Sequence, residues 1–201
     1  MKAGENQRSQ FTEISFMLRA KSWRKWLPEL DYKFMLAAAL NEVLYETGPV
    51  YKKFVIIGYL ITGSRIYLVC KLRFVSVESV LDLFFEKIKA ALQHQKKRRP
   101  KEKKCDGEEY FDEFPVVESM FDIFPFPNEW LKQLLTGHAV HLRYYEPRLA
   151  RIKDRIEHEM FCSVTDYAGG EGPVVVSKES HERRNQSLAP YRKGAVKRKK
   201  L

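Results

Sequence analysis

The chain has 201 residues, 44% of them apolar and 13% aromatic, enough to bury one substantial core and too few for a second full domain. Its formal net charge is +10, yet residues 96–104 and 178–201 together carry more positive charge than the whole, so the remainder is net acidic. No apolar run reaches the roughly 18 residues of a membrane span, the first ten residues lack a signal peptide's apolar core, and Cys70, Cys105 and Cys162 are too scattered for a disulfide framework or a zinc knuckle.

These properties predict a cytoplasmic protein with reduced thiols and no membrane partner. Residues 1–10 are polar and read as a disordered start, with one folded domain expected over 11–177. Alternation over Glu13–Ala20 puts Ile14, Phe16, Leu18 and Ala20 on one side of a strand. After Pro28, the residues Met35, Leu36, Ala39, Leu40, Val43 and Leu44 form one stripe of a helix over Asp31–Tyr45, which Gly48-Pro49 ends. Phe54–Ile61 and Arg65–Arg73 are the arms of a hairpin folded at Thr62-Gly63-Ser64. In its second arm Ile66, Leu68, Cys70 and Leu72 share one face, and Arg65, Tyr67, Val69 and Lys71 the other. Ser76 is placed to cap a helix whose stripe is Val77, Val80, Leu81, Phe84, Ile88 and Leu92. Strand, helix, strand, strand, helix is most of a ferredoxin-like split β-α-β core, an α+β fold whose antiparallel sheet has helices on one face and leaves the other open. It needs a fourth strand from the C-terminal half.

Residues 96–106 read as a flexible basic linker. Cys105–Leu135 is acidic and is expected to fold back on a basic run and mask it. Within it, the apolar stretch from Phe121 to Pro127 is expected as an irregular core segment, and Asn128 and Gly137 as the cap and stop of a short helix bearing Trp130, Leu131, Leu134 and Leu135. His138–Tyr145 is strand-like, and Pro147 suits the first turn of a helix bearing Leu149, Ile152, Ile156 and Met160. Arg148, Arg151, Lys153 and Arg155 occupy its polar positions. That basic face is either a phosphate track beside an open sheet or the ordinary charge of an exposed helix. His138 and His141 share a side only in a helix, and no carboxylate or cysteine stands at metal-ligand spacing, so surface or dimer contacts are expected. The Gly169-Gly170-Glu171-Gly172-Pro173 run lacks the Lys-Ser/Thr ending of a phosphate loop and reads as a turn. Residues 178–201 form a basic tail, either solubilising and import-like or drawn to phosphate.

Tyr59-Leu60-Ile61-Thr62-Gly63-Ser64-Arg65-Ile66-Tyr67-Leu68-Val69 resembles the strand pair of the single-tyrosine transposases, where a Y-V-L-M-P-N-H-V-H-L-L-like string carries a His-hydrophobic-His motif. Three more segments follow in order. Ile14 to Ala20, with Arg19, is similar to the opening Y-H-V-T-x-R strand; Tyr144 to Ala150 is similar to Y-I-H-L-N-P-V-R-A through Pro147 and Ala150; Ser163 to Gly170 resembles the S-S-x-x-x-Y-x-G segment of REP-associated tyrosine transposases. The resemblance implies a homodimer with a ferredoxin-like core that binds single-stranded or hairpin DNA. It also implies a magnesium or manganese ion on two histidines and a helix-borne tyrosine nucleophile. Here Arg65 and Tyr67 replace the histidines, so the usual metal ligands are missing and no metal or other cofactor is expected. Aligning Pro147 with the family proline puts Leu142 where the tyrosine belongs, whereas a two-residue slip offers Tyr144.

Three readings result. The first is a catalytically degenerate transposase relative that binds DNA through Arg19, Arg65, Tyr67, Lys71, Arg148, Arg151 and Arg155, with Arg65 on a phosphate and Tyr67 stacked on a base. The second is an active strand transferase in which Arg65 replaces the metal and Tyr144 or Tyr145 attacks. The third is a protein-interaction module using the acidic Cys105–Leu135 region and the aromatic surface.

Overall fold

In a computed structural model the described residues are 11–47, 53–98, 120–126, 129–138, 140 and 145–178. Apolar alternation forms β1 over Thr12–Ala20, with Phe16 and Leu18 buried. A 3-10 turn, Ser22–Trp26, leads into α1 (Glu29–Glu46), which buries Met35, Leu36, Ala39, Leu40 and Val43 along the expected stripe. The hairpin is β2 (Phe54–Ile61) and β3 (Arg65–Leu72). Ser76 accepts the Ser79 N–H at 3.1 Å and starts α2 (Val77–Arg98). This helix runs through Arg98, so the first residues of the expected basic linker form its last turn.

The fourth strand is β4, Phe121–Pro125, where an irregular segment was expected. Its backbone pairs antiparallel with β1, from Phe16 opposite Pro125 to Ala20 opposite Phe121. The four antiparallel strands lie in the order β2-β3-β1-β4. Strand β3 therefore separates β1 from β2, which α1 connects, and β1 separates β3 from β4. The fold is α+β. Among the described residues, no helix is long and apolar enough to cross a membrane.

α1 and α2 cover one sheet face, and Trp23, Tyr32, Phe84, Phe85 and Phe121 help to fill the core beneath them. Each large side chain fully buried there is worth roughly 1.5–3 kcal/mol. The second face is not open. Three more helices, α3 (Glu129–Leu135), α4 (Pro147–His158) and α5 (Val164–Tyr167), lie in the following chain. Leu131, Leu134 and Leu135 of α3, Leu149 and Ile156 of α4, and Cys162 pack on Ile57, Leu60, Tyr67 and Val69 of the sheet. The apolar residues of β2 made this unavoidable. A register shift between Ile56 and Gly58 inverts the alternation, so Phe54 and Ile56 join the first core with Tyr59 and Ile61, while Ile57 and Leu60 point to the other side and need a cover. Met160 is beyond the end of α4 and 67% exposed, so it is not part of that helix's buried stripe.

Gly137 follows α3 at φ +75°, and a Cβ there would sit 2.6 Å from the Tyr167 Cβ. It ends the helix in the left-handed conformation that favours glycine. The expected disordered N-terminus, residues 105–119 of the acidic region expected to fold back, Tyr144, His141 and the basic tail beyond Lys178 lie outside the described residues, as does most of the expected 138–145 strand.

Candidate functional site

Where β3 begins, the sheet end and α4 enclose a groove of about 700 Å³. Met17, Leu60, Tyr67 and Ile152 give it apolar surface, and Arg65, Arg151, Asp154 and Arg155 supply the charge. Arg151 and Arg155 are one helical turn apart on α4 and share a face. Arg65, Arg151 and Arg155 are all exposed, and none of the three forms an ion pair among the described residues.

The position of Arg65 is set by its turn. The Thr62 Oγ1 accepts the Arg65 N–H at 3.1 Å, and the Thr62 N–H donates to the Arg65 carbonyl at 2.8 Å. Arg24 braces the same turn by donating to the Gly63 carbonyl and, at 2.6 Å, to the Leu27 carbonyl, with its guanidinium 4.3 Å above the Tyr32 ring. The Ala20 N–H donates to the Ser64 carbonyl at 2.9 Å. The turn that carries Arg65 is thus tied to β1 and to the start of α1.

Tyr67 is 7% exposed, its ring edge-on to Phe126 at a centroid distance of 5.9 Å. The α3–α4 layer covers it, so its ring face is not available for base stacking as expected; it is instead apolar lining, with its hydroxyl 3.5 Å from Arg65 Nη1. Arg19 is opposite Arg65 in the β1–β3 register, but it donates to Asp122 at 2.7 Å and lies 5.1 Å from the Phe124 ring centre. Lys71 is at the far end of β3, about 20 Å along the strand from Arg65, and faces Glu13 across the ladder. Tyr145 is 79% exposed, precedes α4 and does not line the groove. The backbone of Arg148 lies in the first turn of α4; its side chain is outside the described structure. Of the seven residues read as DNA contacts, the groove unites Arg65, Tyr67, Arg151 and Arg155.

The sequence did not point to an ion-pair cluster beside the groove. Lys33 on α1, 8% exposed, donates to Glu159 at 2.7 Å and forms an ion pair with Glu29 at 2.8 Å, which ties the chain just past α4 to α1. Burial opposes the Lys33 charge, yet hydrogen bonds to Glu159 and Glu29 and their negative charge outweigh it and hold its pKa above 10.5. The same Lys33 hydrogen bond and charge hold Glu29 below 4.5. At the end of α4, the Asp154 carbonyl 2.8 Å from His158 Nδ1 raises the imidazole pKa above 6.5, helped by the charges of Asp154 and Glu157. Burial pushes the Cys162 thiol up to about 11, which leaves it protonated and unreactive near neutral pH. No group of three or more His, Cys, Asp or Glu residues that could hold a metal ion occurs among the described residues.

No protein-family profile, curated protein or solved structure matches the chain.

Proposed function

We propose that this protein binds nucleic acid, single-stranded or hairpin DNA in particular, and holds the sugar-phosphate backbone at Arg65, Arg151 and Arg155. The observation that carries this reading is the convergence of three arginines, unpaired among the described residues, on one groove with apolar lining. Guanidinium groups suit phosphate oxygens, and an apolar surface suits a base outside a duplex. We read the strand order β2-β3-β1-β4 as the ferredoxin-like arrangement, and that order supports kinship with the single-tyrosine transposases. In this reading the protein is a degenerate relative. Arg65 and Tyr67 stand where the metal-binding histidines belong, and Tyr145 points to no role at the groove. A homodimer belongs to the same proposal, supported by exposed Ile123 and Phe124 on the edge strand β4.

The test is fluorescence anisotropy of the full chain with a labelled single-stranded hairpin at several salt concentrations. Because the basic tail also attracts phosphate, the readout is the difference between wild type and the Arg65→Ala/Arg151→Ala/Arg155→Ala variant. Loss of three phosphate contacts lowers the log–log salt slope by about 2. An unchanged affinity and slope overturns the reading.

A further inference from the structure

The groove continues past Arg155. Beyond the Thr62–Ser64 turn it opens into a recess of about 640 Å³ between the start of α1 and the last turn of α4. Thr62, Ser64, Asp154 and Arg155 line both spaces, so the two form one trough. Its ends differ in chemistry. Arg65 and Arg151 line only the first, whereas Glu29, His158 and Glu159 line only the second.

The second end repels phosphate and offers acceptors. Lys33 fixes Glu29 through Oε1 and Glu159 through Oε2, so both carboxylates are oriented before any ligand arrives. Glu29 Oε2, the oxygen not paired with Lys33, lies against Gly63 at the turn, 3.1 Å from where a Cβ would stand. The Asp154 carboxylate forms no ion pair among the described residues. A carbonyl only accepts, so His158 Nδ1 carries a proton toward Asp154, and the acceptors of the recess are the carboxylates. A group that crosses from three arginines to this lining must be anionic at one end and a hydrogen-bond donor at the other. Within a nucleic acid, that describes a phosphate followed by a base with an exocyclic amino group.

We propose that the trough holds one unpaired nucleotide, its phosphate at Arg65, Arg151 and Arg155 and an amino-bearing base in the recess beyond Thr62 and Ser64. The proposal rests on the nucleic-acid reading of the groove and adds selection to it. Cytosine and adenine donate through N4 and N6 to carboxylate oxygens. Thymine has no amino group, and its single N3–H lies between O2 and O4, so a contact through it brings carbonyl oxygens against the carboxylates. The recess is within the size range of small-molecule sites, so a base fits.

The experiment measures the anisotropy of labelled 12-residue strands of deoxycytidine, deoxyadenosine and deoxythymidine with the full chain near physiological salt. The expected result is roughly tenfold tighter binding of the cytosine and adenine strands than of the thymine strand. In a Glu29→Ala/Asp154→Ala variant, checked for folding by circular dichroism, thymine affinity rises and the gap closes to about twofold or less. A gap that survives in this variant reflects strand stiffness and stacking and overturns the assignment. Equal affinities for the three strands, lost together in the triple arginine variant, refute base selection while the groove reading stands. Binding unaffected by the arginine substitutions refutes both.

Discussion

Arg19 and Arg65 are opposite each other across the β1–β3 ladder, and Asp122 on β4 takes the charge of only one of them. Like charges directly opposed on a sheet destabilise it. The 2.7 Å pair with Asp122 relieves that repulsion and holds Arg19 toward Phe124, while Arg65 lines the groove without an ion pair among the described residues.

Releasing Arg19 is therefore expected to strengthen anion binding. In Asp122→Asn, Arg19 and Lys21 lose their acidic partner. Affinity for single-stranded DNA is expected to rise two- to threefold, with the salt slope steeper by about 0.7 for one added phosphate contact. Anisotropy titrations of the single variant against wild type check this, and a weaker complex contradicts it.

The Lys33 ion pairs make stability depend on pH at both extremes. Glu29 has a folded pKa below 4.5, so its contribution is present above about pH 4.5 and is lost as pH falls through the lowered folded value. Lys33 has a folded pKa above 10.5, so its contribution is present below that pH and is lost as pH rises through the raised folded value. Lys33→Met is expected to lower stability by about 1–2 kcal/mol between pH 5 and pH 10, discounted for the exposure of Glu29. Thermal melts across pH check this, with the gap to wild type narrowing on the acid side.

Ser163 holds together three segments that sequence leaves far apart. Its buried hydroxyl accepts the Tyr59 N–H at 2.9 Å and lies within hydrogen-bond reach of the Tyr59 and Leu135 carbonyls. Ser163→Ala leaves buried backbone groups short of a partner and is expected to cost about 1–3 kcal/mol, measured by urea denaturation.

Gly172 and Tyr32 give opposite expectations at buried oxygens. A Cβ at Gly172 would lie 2.3 Å from the Tyr59 hydroxyl and 2.5 Å from Asp166 Oδ2, so Gly172→Ala is expected to destabilise by about 1–3 kcal/mol. The Tyr32 hydroxyl is buried without a hydrogen-bond partner among the described residues, and removing it in Tyr32→Phe is expected to leave the melting temperature unchanged or higher. Both are read in one set of thermal melts.

Periodicity made most of the fold legible. The hairpin arms, both long helices, the Ser76 cap and the start of α4 at Pro147 follow from local pattern, because each depends on residues a few positions apart. β4 was hidden because Phe121–Pro125 is short, contains a proline and is recognisable as a strand only through its pairing with β1. The covered second face was hidden for a related reason: the register shift after Ile56 changes which residues of β2 point where, and it exists only once β3 is alongside. At the groove, residue type identified Arg65, Arg151 and Arg155; Glu29 and Lys33 have the i,i+4 spacing of a helical ion pair, but Glu159 carried no local signal, since its pair with Lys33 spans 126 positions.

The sequence by itself determined where chain segments become strand or helix, because hydrophobic period and capping chemistry act within one element. Only the tertiary structure decided that α4 lies against the sheet end, that Tyr67 is buried while Arg65 is exposed, and that the groove joins a second recess. Those outcomes depend on packing between distant surfaces, where burial of Leu149 and Ile156 against the sheet sets which of their neighbours are left to face solvent.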